Sequence, residues 1–436
     1  MAEVLKTPRG TKDILPEEQK IWRYLGDTVQ KKCEAFGCSK IETPIFEYAE
    51  VFTKSLGSTS DIVTKEMYEV RRAQSIQQSL DEKDESRPMV LRPEMTAGIV
   101  RSYLEQGMKT WTQPVKLYYE GAPCFRYERP QAGRFREHHQ FGAEIIGDDD
   151  PLTDAFVIYL AFQIFKKVGL EKELTLDINS MGDKRCRPKM KKRLAEYFEK
   201  FLPSLCEDCN RRFVENPLRI LDCKETKCQR IIAGAPQLID ILCDDCKNHF
   251  KAVLENLDNM QIPYNLNPKL VRGLDYYTKT VFEFYDAKDT TRQASLLGGG
   301  RYDDLIKLFG GPDTPAIGFA AGAERVVEKI KEKGIQIPEI KSADVCLVQI
   351  GDKARKKCLA LLSSLEESGI DVACILGKES LKGQLRMAAR MKARICLIVG
   401  QREALDNSVI VRNMDDGSQE TIKLKKLIDV LKDRLK

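Results

Sequence analysis

The sequence predicts an α+β chain built in series: a domain around an antiparallel sheet, a helical insertion that interrupts it, and a C-terminal α/β domain. Three observations predict this. Strand-like runs VKLYYEG and FREHHQFGAEIIG flank a charged turn between Pro114 and Gly147, and strand signals resume with TKTVFEFYDA and LLGGGRYDDL. Between those two groups, Lys184 to Gln261 is rich in charge, helix formers and paired cysteines. From Ala343 onward, apolar runs DVCLVQI, DVACIL and ARICLIVG alternate with helical stretches, the pattern of strands buried on both faces.

Taken in order, Ile21, Trp22, Leu25, Val29, Cys33 and Phe36 recur at helical spacing, so a helix is expected over residues 19–36. Gly37 then releases the chain into an extended Ile41–Pro44 segment. RRAQSIQQSLDEKDES, from Arg71 to Ser86, is polar without periodicity and reads as a loop or hairpin extension. A helix from about Pro151 to Val168 and the strand LTLDINS lead into the insertion. Beyond it, TPAIGFAAGAERVVEKI passes from apolar strand through glycines into helix, and the last domain ends in a hairpin and a helix. The expected boundaries are 1–183 and 262–336 for the two parts of the sheet domain, 184–261 for the insertion and 341–436 for the last domain, with Pro338 interrupting the connection.

Composition narrows the function. A chain of 436 residues with 42% hydrophobic and 31% charged content can bury more than one core, so two or three globular domains are expected. The opening MAEVLKTPRGTKDILPEEQK has no signal-peptide core and no run is long enough to span a bilayer, which predicts a cytoplasmic protein without a membrane partner. Fourteen cysteines in such a chain read as thiols or metal ligands. Only His138, His139 and His249 are present, which argues against a His-rich metal site or a His-based nucleophilic triad. Residues 341–436 hold 12 Lys and 7 Arg against 8 Asp and 5 Glu, a balance of +6 within a whole-chain charge of +5. A polyanion-binding surface is therefore expected at the C-terminal end.

FRYERPQAGRFREHHQFGAE carries Arg126, Glu128, Arg129, Arg134 and Arg136 on a strand–loop–strand. Arginine suits phosphate because its planar fork donates two parallel hydrogen bonds and stays charged. A solvated basic hairpin would have the same composition. In AGAERVVEKI, Arg325 opens a helix after glycines that permit close backbone approach; a surface salt bridge with Glu324 or Glu328 is the alternative.

These two segments resemble motifs 2 and 3 of class II aminoacyl-tRNA synthetases, and Pro44, after helix and strand, is similar to motif 1. LRPEMTAG (Leu91–Gly98), RGLDYYTKTVFE (Arg272–Glu283) and GGGRYD (Gly298–Asp303) resemble the histidyl-tRNA synthetase family in particular. The likeness runs from TPRGTKDILP into the last domain, which resembles the anticodon-binding domain of that subclass. It implies the class II synthetase fold, a homodimer formed through motif 1, and activation of L-histidine by ATP with Mg²⁺ before transfer to tRNA(His). It also implies roles. Arg126 would contact the α-phosphate with Arg272 on its other side, and Arg325 the γ-phosphate. Glu128 would meet the adenine edge, with Arg134 and His138 completing the nucleotide site. Glu94, Thr96, Gln140, Glu144, Arg272, Tyr276 and Tyr277 would hold histidine, and Arg129 and Gln131 would reach tRNA. A pocket that hydrogen-bonds both ring nitrogens rejects apolar isosteres, so no editing is needed. A histidine-sensing regulatory relative, or a pure RNA-binding module, would not need Arg126, Arg272 and Arg325.

Three features depart from the family pattern. Met95 stands where the family commonly has glycine, and His138 where an aromatic ring usually stacks on adenine. The loop from Arg71 to Arg87 is longer than usual. Cys206xxCys209, Cys223xxxxCys228 and Cys243xxCys246 have spacings compatible with tetrahedral Zn²⁺ and equally with buried thiols. Lys378, Lys382, Arg386, Arg390 and Arg394 recur every four residues, a helix face that tracks a phosphate backbone or is merely solvated.

Overall fold

The chain opens with α1 (Pro16–Ala35), started by Pro16 and the acidic Glu17 and Glu18, and ended where Gly37 takes φ +78°. In this computed structural model, residues 4–57, 60–71, 87–130, 133–286, 288, 295–338, 343–375 and 380–435 are described. After α1 come β1 (Ser39–Lys40), β2 (Phe46–Tyr48), α2 (Ala49–Leu56), β3 (Glu69–Val70), β4 (Met89–Leu91) and α3 (Thr96–Glu105). The long strands β5 (Val115–Phe125) and β6 (Glu137–Ile146) precede α4 (Pro151–Lys167) and β7 (Leu174–Ser180). The insertion holds α5 (Arg187–Phe198), α6 (Glu207–Glu215), α7 (Thr226–Ile232) and α8 (Asp244–Asn259). Then β8 (Asn265–Leu266), β9 (Thr278–Asp286), β10 (Ser295–Arg301), α9 (Leu305–Leu308), β11 (Ala316–Gly322) and α10 (Ala323–Glu332) follow.

Eight strands form one sheet in the order β1-β5-β6-β11-β10-β9-β7-β8. The six central strands are antiparallel, and a short parallel strand closes each edge. The first strand differs from expectation: pairing covers Ser39 and Lys40, and Ile41 adds one amide bond to Tyr118 before the chain leaves the ladder toward Pro44, which has no N–H to donate.

Alternation along these strands separates a helix-covered face from a functional one. Phe141, Ala143 and Ile145 of β6 pack with Ile317, Phe319 and Ala321 of β11 against α1, α4 and α10. The intervening Gln140, Gly142 and Glu144, and Gly318, Ala320 and Gly322, fall on the opposite side. Helix α4 is apolar nearly all round because it lies between sheet and helices; Asp150 caps its start by accepting from the Leu152 amide at 2.8 Å. Helix α8 lies at the end of the expected insertion, yet Phe250, Val253 and Leu257 pack in this same core beside α4. Each such side chain contributes about 1.5–3 kcal/mol, so α8 is part of the sheet domain's own layer.

Contacts divide the chain into Met1–Ile337 and Pro338–Lys436. The second unit contains β12 (Val345–Gln349), α11 (Asp352–Glu367), β13 (Val372–Cys374), α12 (Leu381–Arg390), β14 (Ile395–Val399), α13 (Gln401–Leu405), β15 (Ser408–Asn413), β16 (Gln419–Lys423) and α14 (Leu424–Leu435). Its sheet, β13-β12-β14-β15-β16, is parallel through β14 and antiparallel beyond. On α12, Gln384 and Ala388 face the core while Lys382, Arg386 and Arg390 are exposed. Arg394 leaves the expected stripe: the helix stops at Arg390, Lys392 takes φ +55°, and the Arg394 guanidinium caps α14 by donating to the Arg434 and Leu435 carbonyls. Lys378 lies outside the described residues.

Candidate active site

The small residues on the functional face of β10 and β11 leave a trough in the first unit. A Cβ at Gly298 would lie 1.8 Å from Nη2 of Arg272, and one at Gly318 would lie 1.6 Å from Oε2 of Glu144. Both glycines make room for a polar side chain to cross the sheet. Above them is a cleft of about 480 Å³ lined by Glu94, Thr96, Arg126, Glu128, Arg134, His138, Gln140, Arg272, Tyr276, Tyr277 and Arg325, among others.

Three of the guanidinium groups that line this cleft are fixed along part of their edge. Arg126, just past β5, donates from Nε to the Pro93 carbonyl at 3.0 Å. Arg325, in the first turn of α10, donates from Nε to Gly133 O at 3.1 Å and from Nη1 to Ser295 O at 2.6 Å. Among the described residues neither forms an ion pair, so the expected alternative for Arg325, a bridge to Glu324 or Glu328, is not made. Glu324 instead accepts from the His139 amide and bonds its Nδ1 at 2.8 Å, tying α10 to β6. Arg272 lies 3.3 Å from Glu283, and its buried Nε has no hydrogen-bond partner. Burial opposes its charge, but Glu283 and the neighbouring tyrosines hold its proton affinity above the usual arginine value.

Beside the arginines, half-buried His138 is held neutral: burial, then Arg126, His139 and Arg325, push its pKa down to about 3. An uncharged imidazole offers an aromatic face without repelling the arginines. Glu128 meets Arg134 at 3.4 Å. At the other end, Glu94 caps α3 by accepting from the Thr96 and Ala97 amides at 2.7 and 2.9 Å, and Tyr276 and Tyr277 pack with ring centroids 4.7 Å apart. Gln140 accepts from the Cys124 thiol at 3.5 Å. Met95 is buried in the same apolar cluster as Tyr276 and Tyr277.

Glu144 sits one layer below the lining, between the hydroxyls of Thr96 at 2.8 Å and Tyr302 at 2.5 Å. Burial pushes its pKa up to about 8 against those two hydrogen bonds, which favours a neutral carboxyl at pH 7. An unfolded glutamate releases its proton near 4.5. The contribution of Glu144 to stability is therefore full below that pH and is lost as pH rises through about 8. Urea unfolding should show stability falling across this window, with Glu144→Gln removing that part of the fall; an unchanged slope would show that Glu144 is ionised in the folded protein.

Not every expected residue lies in the cleft. Arg129 is exposed outside it, Gln131 is outside the described residues, and so is most of the Arg71–Arg87 loop, residues 72–86. Conversely, Asp61, Glu66 and Arg212 line the cleft without having been expected. Arg212 lies in the insertion, where nothing in its local sequence marks it. Tyr302 belongs to GGGRYD, a motif visible in the sequence.

Residues 10–182 and 227–326 match the family profile described as histidyl-tRNA synthetase, and residues 344–434 match that of the anticodon binding domain. The chain is 43% identical over 427 residues to a histidine–tRNA ligase of Acetivibrio thermocellus, across 98% of this chain and 99% of the relative. The chain belongs to the histidyl-tRNA synthetase family. A histidine–tRNA ligase of Desulforamulus reducens matches with the same identity and coverage. The crystal structure of apo S. aureus histidyl-tRNA synthetase superposes with a TM-score of 0.78 at 35% identity, covering 98% of this chain and 99% of that one. Like other histidyl-tRNA synthetases, the chain activates histidine with ATP and transfers it to tRNA. Among the described residues no helix is long and apolar enough to cross a membrane. The histidyl-tRNA synthetase profile passes over residues 183–226, where the insertion begins.

Proposed function

We propose that the cleft performs the activation step with the following division of labour. Arg126 and Arg272 flank the α-phosphate of ATP, Arg325 holds the γ-phosphate, His138 stacks on adenine, and Glu128, with Arg134 beside it, meets the adenine edge. Glu94, Thr96, Gln140, Tyr276 and Tyr277 receive the ammonium and ring of histidine, with Glu144 supporting Thr96 from below. A carboxylate oxygen of histidine bonds to the α-phosphorus as the bond to the bridging oxygen breaks, and pyrophosphate leaves. Charge grows on the equatorial oxygens, and guanidinium groups already anchored to Pro93, Gly133, Ser295 and Glu283 meet it without reorganising. That anchoring of three arginines around one cleft is the observation that carries the reading.

Mg²⁺ enters with the nucleotide. Such an ion needs only one or two protein carboxylates beside substrate phosphates, and Glu66 is suited to supply one. Glu66 lines the cleft, where burial and then the charge of Glu128 raise its proton affinity and Arg126 opposes them. The ion would offset phosphate charge. Ile45, Phe46 and Tyr48 are exposed beside Pro44, an apolar patch that supports a homodimer through this segment; sedimentation as a monomer at micromolar concentration would contradict it. Fourteen unpaired thiols support a reducing, cytoplasmic setting.

In the second step a terminal ribose hydroxyl of tRNA(His) attacks the adenylate carbonyl, the acyl–phosphate bond breaks and AMP leaves, and no protein nucleophile takes part. Exposed Lys382, Arg386 and Arg390, with Lys378, are proposed to meet the tRNA backbone, and Arg129 and Gln131 its acceptor end. The double substitution Lys382→Glu with Arg386→Glu should lower tRNA charging and its salt dependence while leaving pyrophosphate exchange intact. Unchanged charging would make the stripe a solvated face.

A further inference from the structure

Two clusters of potential ligands lie away from the cleft, in and beside the stretch that the family profile passes over. The Sγ atoms of Cys206, Cys209, Cys223 and Cys228 all lie within 4.8 Å of one another, and a carboxylate oxygen of Asp183 is gathered with Sγ of Cys186, Cys243 and Cys246 within the same limit. Cys206 and Cys223 have sulfurs 3.8 Å apart. That is far beyond the ~2.05 Å of a disulfide, and all fourteen cysteines are free. It matches the edge, about 3.8 Å, of a sulfur tetrahedron around an ion with bonds of about 2.3 Å, the zinc–thiolate distance.

The backbone around these sulfurs is arranged for thiolates. Cys206 N–H points to Cys228 Sγ at 3.3 Å, Cys209 N–H to Cys206 Sγ at 3.4 Å, Glu225 N–H to Cys223 Sγ at 3.5 Å and Cys243 N–H to Cys186 Sγ at 3.2 Å. An amide aimed at sulfur stabilises its charged form, which is the metal-binding form; thiols that merely fill a core have no use for four such donors. Each CxxC pair opens a helix, with Cys206 and Cys243 as the caps of α6 and α8. At Gly182, φ is +62° and a Cβ would lie 2.5 Å from that of Cys186, so glycine is required for the turn that brings Asp183 and Cys186 together.

We propose that each cluster binds one zinc ion, a tetrathiolate at Cys206, Cys209, Cys223 and Cys228, and a three-thiolate, one-carboxylate site at Asp183, Cys186, Cys243 and Cys246. Clustered thiolates repel one another, and a borderline-soft dication with tetrahedral preference resolves that repulsion. The first ion is a positioning element for the active site. It joins the start of α6 to the Pro217–Asp222 turn, and each of these reaches the cleft. From α6, Arg211 and Arg212 pair with Asp61 at 3.1 and 3.7 Å, and Arg212 lines the cleft itself. From the turn, Arg219 donates to Gly273 O at 2.8 Å and meets Asp275 at 3.3 Å, fixing the segment that follows Arg272.

The test is metal content of the full-length protein purified without chelators, by inductively coupled plasma mass spectrometry, together with the absorption spectrum after cobalt exchange. Two equivalents of zinc per chain are expected, falling to one in Cys209→Ser and to one in Cys246→Ser, with intense tetrahedral thiolate–cobalt bands in the wild type. One equivalent lost only in Cys209→Ser upholds the first site and overturns the second; the mirror result does the reverse. Wild-type protein that binds neither metal stoichiometrically overturns both, whatever the variants do. Stripping the first metal should raise KM for histidine more than it lowers kcat. An unchanged KM with metal demonstrably gone would remove the positioning role.

Discussion

Arg272→Ala should lower kcat/KM for histidine-dependent pyrophosphate exchange about 100- to 1,000-fold, or about 2.7–4 kcal/mol of transition-state stabilisation, while histidine still binds by calorimetry. The guanidinium crosses the sheet over Gly298, touches Glu283 through Nη1 at 3.3 Å, and lines the cleft. Because that orientation exists before charge develops on the α-phosphate, its loss falls on the transition state rather than on ground-state binding. Arg272→Lys should recover little, since a point charge cannot replace a fork. Gly298→Ala should reproduce much of the defect without touching any charge, because its methyl would occupy the place of Nη2. A loss of histidine binding with normal adenylation by the remaining protein would refute the role.

The second large effect is on stability. Arg301 and Asp154 are both completely buried and meet at 2.6 Å. Arg301 also donates to the carbonyls of Asp148 and Asp150 and lies 3.2 Å from Asp303, while His249 of α8 bonds the other oxygen of Asp154 at 3.0 Å. This knot fastens β10 to the start of α4 and to α8. Arg301→Met keeps the volume but strands a buried carboxylate and two carbonyls, which should cost about 3–5 kcal/mol out of a stability on the order of 5–15 kcal/mol. Chemical denaturation should show the midpoint falling with m unchanged. A change below about 1 kcal/mol would mean that water or a shifted side chain satisfies Asp154.

The same knot shows what a sequence conceals. GGGRYD stood out as a motif, yet its arginine is a structural fastener, and its partner at Asp154 sits 147 residues away in a helix that reads as ordinary. Strand-like runs made β5, β6, β9 and β10 legible, and the run of small residues in β11 was visible; that Gly318 exists to admit Glu144 was not, because the pairing of β6 with β11 is a long-range fact. Phe250, Val253 and Leu257 of α8 pack beside α4, a partnership that the charge and paired cysteines of residues 184–261 do not reveal. The stripe of basic residues in the last unit followed from spacing, but spacing cannot show that the helix ends before Arg394. Three cysteine pairs were plain in the sequence; their sorting into two sets of four needed Asp183 and Cys186, which form no pair of their own and lie about sixty residues from Cys243. Local chemistry was readable, and partnership across the fold was not.

The central claim is that one arginine-framed cleft activates histidine. It is tested most directly by exchange of labelled pyrophosphate into ATP by the wild-type protein with Mg²⁺, one amino acid at a time, with the Arg126→Ala variant alongside. The account predicts exchange with histidine alone, and its near-complete loss in the variant. Exchange with several amino acids, or none with histidine while histidine still binds, would contradict it.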